Sequence, residues 1–267
     1  MPLPDDIFAV LNGGIYFSKL DLSDVYLQVE IDDKSNKYSS WFVSIRSFTF
    51  FLQTMDIMLA DLLGAVSNLD DIIVMGCSKQ NHDENLNAVL QRIQEWGFHL
   101  RVEKCSFRLE QIRYLGYIID RHGRRPKMEK VKAIHSMPEP HNITTLKSFL
   151  GIINYYGQFI NDFRSIIAPL DKLLRKVQKF IWSKECRIAF NKAKSILLSG
   201  LTLTHLDPSK DVIVAGDASN FGIGGVIMHR FPDGTHKAIA HVSRSLTKTR
   251  KNAIFTVTIS TFKQSAT

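Results

Sequence analysis

The sequence predicts an α+β protein, and three observations carry that prediction. Two acidic stretches, Phe17–Asp24 and Asn68–Val74, lie within short apolar runs that read as strands. After His82 the apolar residues recur at helical spacing, in His82–Trp96, Thr144–Ile160 and Ser183–Leu198. From Asp207-Pro208 the chain returns to short β-branched runs separated by Gly and Pro. With 267 residues it is long enough for one large unit or two to three small ones, each with its own core.

In chain order, Pro2-Leu3-Pro4, then Ile7, Phe8, Val10 and Leu11 before Gly13-Gly14, predict a short helix stopped by glycine. Ile15-Tyr16-Phe17 with Leu20 and Leu22 reads as a strand that carries Asp21. Val25–Ile31 alternates apolar and polar residues as a half-buried strand does, with Asp32–Ser35 as its turn. Trp41-Phe42-Val43 and Phe48–Leu52 are aromatic and strand-like. The residues flanking Asp70-Asp71 form two short buried strands, and the acidic pair is the tight turn between them. Leu86, Val89, Leu90 and Ile93 give the next helix an apolar face, with Gly97 as its stop. Phe98–Val102 and Arg113–Ile119 read as strands, followed by a turn at Asp120–Gly123. Pro138 and Pro140 mark a hinge; Leu146, Phe149, Leu150, Ile153 and Phe159 then share one helical face, and Cys186, Phe190, Ala193 and Leu197 another. Val212–Ala215, Gly224–His229 and Ala238–Val242 close the reading as strands, with Pro232-Asp233-Gly234 as a hairpin turn.

The formal net charge is +8, and its distribution is uneven: Arg101–Lys132 holds ten Lys and Arg against four acids, so six of the eight charges lie there. Such a cluster fits a polyanionic partner, and from charge alone it fits a solvated face equally well. Cys77, Cys105 and Cys186 are too widely spaced for a zinc knuckle or a disulfide framework and read as reduced intracellular thiols. No apolar run approaches the ~18 residues of a membrane span, and the start lacks a basic segment followed by an apolar core. The expected location is cytoplasmic or nuclear.

A strand ending in Asp21 beside the Asp70-Asp71 turn brings three carboxylates together. Acids converging in a partly dry site repel unless cations lie among them. Carboxylate oxygens without Cys or His favour Mg²⁺, which keeps several waters and takes substrate phosphates, and the chemistry this suits is phosphoryl transfer. The bland reading of each element taken alone is an acidic turn and a strand-end cap.

Phe17–Gln28 (FSKLDLSDVYLQ) and Leu69–Val74 (LDDIIV) resemble the first and third palm motifs of reverse transcriptases from gypsy-type long-terminal-repeat retrotransposons. The resemblance continues through Gly97–Asp120, Leu146–Ile160, Trp182–Phe190 and Val214–Val226, in the family's order. It implies a reverse transcriptase palm of antiparallel sheet and packed helices over residues 1–137, thumb and connection helices over 138–206, and the first part of an RNase H-like α/β unit over 207–267. It implies an RNA-directed DNA polymerase that joins a deoxynucleoside triphosphate to a primer 3′-hydroxyl on an RNA or DNA template. Asp21 and Asp70 bridge two Mg²⁺ ions, for which Mn²⁺ can substitute, and Asp71 assists. Tyr26 packs under the incoming sugar, Lys104 lies near the leaving group, and Tyr114, Gly116 and Tyr117 belong to the primer grip. Taken alone, the alternation around Tyr114–Tyr117 reads as an aromatic strand in a core, and Lys104 as a solvated strand lysine.

Asp217 matches the first metal-binding aspartate of the RNase H domain, but Val257-Thr258-Ile259 stands where the family's next helix carries acids, and ribonuclease activity is not expected. Asn68 replaces the family's Tyr, and neither the Leu-Pro-Phe-Gly segment nor the basic fingers are found. The expectation is an impaired polymerase; the alternative is a non-catalytic transposon remnant that at most binds nucleic acid.

Overall fold

The computed structural model describes residues 4–23, 40–175, 179–199, 202–218, 222–245 and 259–262. The chain divides into two compact units, residues 1–115 with 119–121, and residues 116–118 with 122–267. Mixed helix and antiparallel sheet is the fold class read from the sequence.

The first unit is built on an antiparallel sheet in the order β2-β3-β1-β4, where β1 is Tyr16–Asp21, β2 is Ala65–Asn68, β3 is Asp71–Gly76 and β4 is Ser106–Leu109. Leu20, Leu22, Ile72 and Val74 point to one face, as period-two alternation demands. Against them pack Phe51, Met55 and Met58 of helix α2 (Ser40–Leu59) and Val89 and Ile93 of α3 (Lys79–Glu95). Each such side chain, removed from water, contributes about 2 kcal/mol before ordering entropy is set against it. Helix α1 (Pro4–Val10), the short helix expected before Gly13-Gly14, adds Ile7 and Phe8 to the buried set.

The strand-like reading of Trp41–Leu52 is corrected here, because that stretch lies within the single helix α2. Aromatic content suggested strand, yet the buried residues Phe51, Met55 and Met58 fall at helical intervals. Helix α3 begins where Ser78 Oγ accepts the Asn81 amide at 3.1 Å, and Gly97 follows its end at φ +72°. Phe98–Val102 is no strand. Leu100 makes one bridge to Leu22, and a tight 3₁₀ turn, Val102–Lys104, leads into β4 instead. Arg113–Ile119 is also two strands, β5 (Gln111–Tyr114) and β6 (Tyr117–Asp120), because Leu115 and Gly116 both take positive φ, 46° and 77°. The expected strand Val25–Ile31, and Tyr26 with it, lies outside the described residues.

Besides residues 116–118, the second unit contains β7 (Gly123–Pro126) and four helices, α4 (Met128–His135), α5 (Ile143–Tyr155), α6 (Phe163–Leu173) and α7 (Lys184–Leu198). Two of them, α4 and α6, were not read from the sequence. Helix α6 contains Pro169, which disguised it. Asn142 and Thr145 form a reciprocal capping box at the start of α5, and Ser183 caps α7. Phe149 of α5 meets Phe190 of α7 with ring centroids 4.5 Å apart in the helical core.

Beyond the helices stands a second antiparallel sheet, in the order β10-β9-β8-β11. Its strands are β8 (Val212–Ala218), β9 (Gly222–Arg230), β10 (His236–Ser245) and β11 (Ile259–Phe262). The three expected strands and the Pro232–Gly234 turn are all present, with Gly234 at φ +80°. No described helix is long and apolar enough to cross a membrane.

Candidate active site

The antiparallel register of β1 and β3 places Asp21 opposite Asp71. The β2–β3 hairpin closes through the two residues Leu69 and Asp70, with Leu69 in the left-handed region at φ 58°. The Leu22 amide donates to the Asp70 carbonyl at 3.0 Å, which ties the hairpin tip to the strand that carries Asp21. Asp21, Asp70 and Asp71, distant in sequence, thus share one corner of the sheet. Helices α2 and α3 pack on the opposite face, so Lys19, Asp21, Asp71 and Ile73 lie together on the other one, where Ile73 is buried and Lys19 and Asp71 are partly exposed.

The three carboxylates have different surroundings. Asp70 is exposed at the tip. Asp21 Oδ1 is buried and has no hydrogen-bond partner, an arrangement that costs on the order of 1–3 kcal/mol unless a donor or cation reaches it. Asp71 is already paired, because Lys19 Nζ lies 2.7 Å from its Oδ2. Burial nevertheless raises the Asp71 pKa; Lys19 opposes the shift, and the charges of Asp70 and Asp21 add to it. Among the described residues no three His, Cys, Asp or Glu side chains converge into a set that could hold a metal ion by themselves. What the site offers is the orphaned Asp21 oxygen and the free tip of Asp70, a donor set that suits a hard cation completed by water or phosphate.

Backbone contacts hold Asp21 from the edge of the sheet. Its carbonyl accepts the Arg101 amide at 2.9 Å, and its own amide donates to Cys105 Sγ at 3.4 Å. Lys104, exposed on the 3₁₀ turn, is fixed to this segment by its amide, which donates to the Arg101 carbonyl at 2.9 Å. Tyr114 is buried in the same unit, and its hydroxyl makes no hydrogen bond of good geometry. Burial pushes its phenol well above the usual range, the Asp71 charge adds to this, and the Asn68 side chain partly offsets it.

Gly116 and Tyr117 belong to the second unit. There Tyr117 is fully buried, stacked between Tyr155 and Phe159 at 5.1 and 5.5 Å. Its hydroxyl donates to the Tyr155 carbonyl at 2.9 Å and accepts from Gln158 Nε2 at 3.1 Å. Asp217 is exposed on β8 opposite Gly224. Sequence reasoning passed over Lys19, although strand alternation puts it on the face of Asp21.

Residues 44–119 match the family described as reverse transcriptase (RNA-dependent DNA polymerase), a span that includes Asp70 and Asp71 but not Asp21. Residues 182–257 match the RNase H-like domain found in reverse transcriptase. Over 94% of its length the chain is 32% identical to the retrovirus-related Pol polyprotein from transposon 412 of Drosophila melanogaster and 30% identical to that from transposon opus. The Tf2-3 polyprotein of Schizosaccharomyces pombe is 26% identical over the same share. The chain spans 22%, 28% and 20% of the lengths of these relatives. In fold it is similar to the foamy viral protease-reverse transcriptase in complex with double-stranded DNA, with a TM-score of 0.76 and 22% identity over 90% of this chain and 44% of that one. The same viral protein in complex with an RNA/DNA hybrid gives a TM-score of 0.72 and 22% identity over 92% of this chain and 36% of that one.

Proposed function

The chain carries reverse transcriptase and RNase H-like domain segments of the retrovirus-related Pol polyprotein type, and on that premise we propose that its first unit is the palm of an RNA-directed DNA polymerase. In this reading residues 1–137 are the palm, 138–206 the thumb and connection, and 207–267 the start of the RNase H-like part. The observation that carries it is the register that sets Asp21 against Asp71 beside the Asp70 turn, with a buried Asp21 oxygen lacking a partner.

Asp21 and Asp70 would hold the divalent cations, and Asp71, balanced by Lys19, would set the charge beside them. When bound, Mg²⁺ supplies Lewis acidity, lowering the pKa of a primer 3′-hydroxyl and neutralising the triphosphate. The Asp21 backbone is held by the Arg101 amide and the Cys105 thiol, so the strand end that carries the carboxylate needs little reorganisation on binding. Lys104 stands free to meet a leaving phosphate. The partners are template-primer and deoxynucleoside triphosphates. Support for a duplex partner comes from the basic cluster and from structural neighbours solved with DNA or a hybrid. Tyr26 packs under the sugar, and Gly116 with Tyr117 shapes the primer grip from within the core of its own unit.

The Lys19–Asp71 pair favours a second reading, a non-catalytic remnant that binds nucleic acid, because a cation already occupies one acid of the cluster. Extension of a DNA primer on an RNA template by the purified chain separates the two. Weak, Mg²⁺-dependent synthesis that disappears in Asp70→Asn is the expected result. Synthesis that survives in Asp70→Asn sinks the site assignment. No synthesis, together with template-primer binding that weakens steeply with salt, establishes the remnant.

A further inference from the structure

The helix-facing side of β1 carries one polar residue, Ser18, and it is completely buried. Ser18 Oγ lies 2.9 Å from His82 Nε2 on α3, and His82 Nδ1 lies 3.1 Å from Asp83 Oδ1. This is the connectivity of a hydroxyl, a base and a carboxylate. Catalysis is excluded by burial, because neither Ser18 nor His82 exposes any surface to a substrate.

The bonds continue into a closed ring. Ser18 Oγ also accepts the Arg108 amide at 3.1 Å, and the Arg108 guanidinium grips Asp83 with two bonds, Nε to Oδ1 at 2.9 Å and Nη2 to Oδ2 at 2.8 Å. The Asp83 carboxylate only accepts, so His82 carries its proton on Nδ1. With Nε2 accepting from the Ser18 hydroxyl, every group in the ring is satisfied. Three elements meet in it: β1, the start of α3, and the edge strand β4.

The ring sits where β4 departs from regular pairing. The register shifts between Phe17 and Lys19, and Arg108 takes φ 51°, a left-handed conformation that is strained for a side chain with a Cβ. Gly76 makes room for it, because a Cβ there would collide with the His82 backbone. The segment just before β4 supplies the Arg101 amide and the Cys105 thiol that hold Asp21, and it carries Lys104.

We propose that Ser18, His82, Asp83 and Arg108 are positioning residues: their ring locks the β4 edge onto β1 and thereby fixes the Arg101–Cys105 segment against Asp21. The link from that segment to catalysis rests on the polymerase reading; the mechanical claim does not.

Amide hydrogen exchange on the full-length chain tests it, comparing Ser18→Ala and Asp83→Asn with the unsubstituted protein. Asp83→Asn opens only the partly exposed arm, so it keeps the test available should the buried substitution unfold the chain. Exchange at the Arg101 and Arg108 amides is expected to speed up on the order of 10- to 100-fold in Ser18→Ala and less in Asp83→Asn, while β2–β3 amides are unchanged. Uniform acceleration across the sheet, or none at Arg101, overturns the positioning role. Mn²⁺ binding measured in parallel keeps the two claims apart. Selective loosening without any Mn²⁺ binding by the unsubstituted chain leaves the ring standing and sinks the polymerase reading.

Discussion

Asp21 and Asp217 each lie in a strand flanked by two others in an antiparallel sheet, and they differ in what stands beside them. Opposite Asp21 the register supplies Asp71, and the neighbouring turn supplies Asp70. Opposite Asp217 stands Gly224, and the other flank of β8 is paired with β11 from Ile259 to Phe262. The resemblance placed Val257-Thr258-Ile259 in a helix that bears a metal-binding acid in the family; of these residues Ile259 is described, and it opens the strand β11. One aspartate at a strand end is a common object; register against a second acid turns it into a site.

The largest expected effect breaks or confirms that contrast. Asp21→Asn should weaken Mn²⁺ binding, followed by electron paramagnetic resonance, by at least about 10-fold, whereas Asp217→Asn should leave it unchanged. Equal losses would make the two acids equivalent. Next in size are the close approaches that shape each unit. A Cβ on Gly123, at φ 130°, would run into the Leu203 backbone, so Gly123→Ala should cost about 2–4 kcal/mol in urea unfolding.

The smallest effect concerns pH, and its sign differs between two carboxylates. The Arg92 guanidinium beside Asp61 holds its pKa near about 2, below the ordinary 3.8. Its contribution is therefore present above the unfolded value and fades as pH falls from there towards the folded one. Burial instead raises the Asp171 pKa against the pull of Arg164 and Arg175, so its contribution is complete below the unfolded value and is lost as pH rises through the folded one. Stability measured between pH 2 and 7 should lose part of its low-pH slope in Arg92→Met and gain slightly at neutral pH in Asp171→Asn.

Much of this was legible because alternation and turn chemistry are local. The Asp70 hairpin, the α3 helix and the strands around Pro232–Gly234 all announce themselves within a few residues. Helix α2 did not, because its aromatic and β-branched residues favour strand locally and only the packing of Phe51, Met55 and Met58 decides otherwise. Leu115-Gly116 hid a turn inside an apolar run, since a leucine at positive φ has no sequence signal. The Ser18–His82–Asp83–Arg108 ring was invisible for a different reason: its members are up to 90 residues apart, and each alone is an ordinary polar residue.

Lys19 has a further implication. Three carboxylates and one ammonium leave this corner with a formal charge of minus two, not minus three. Electroneutrality there is met by a single doubly positive visitor, and any additional one must arrive escorted by anions of its own, as a polyphosphate would bring them.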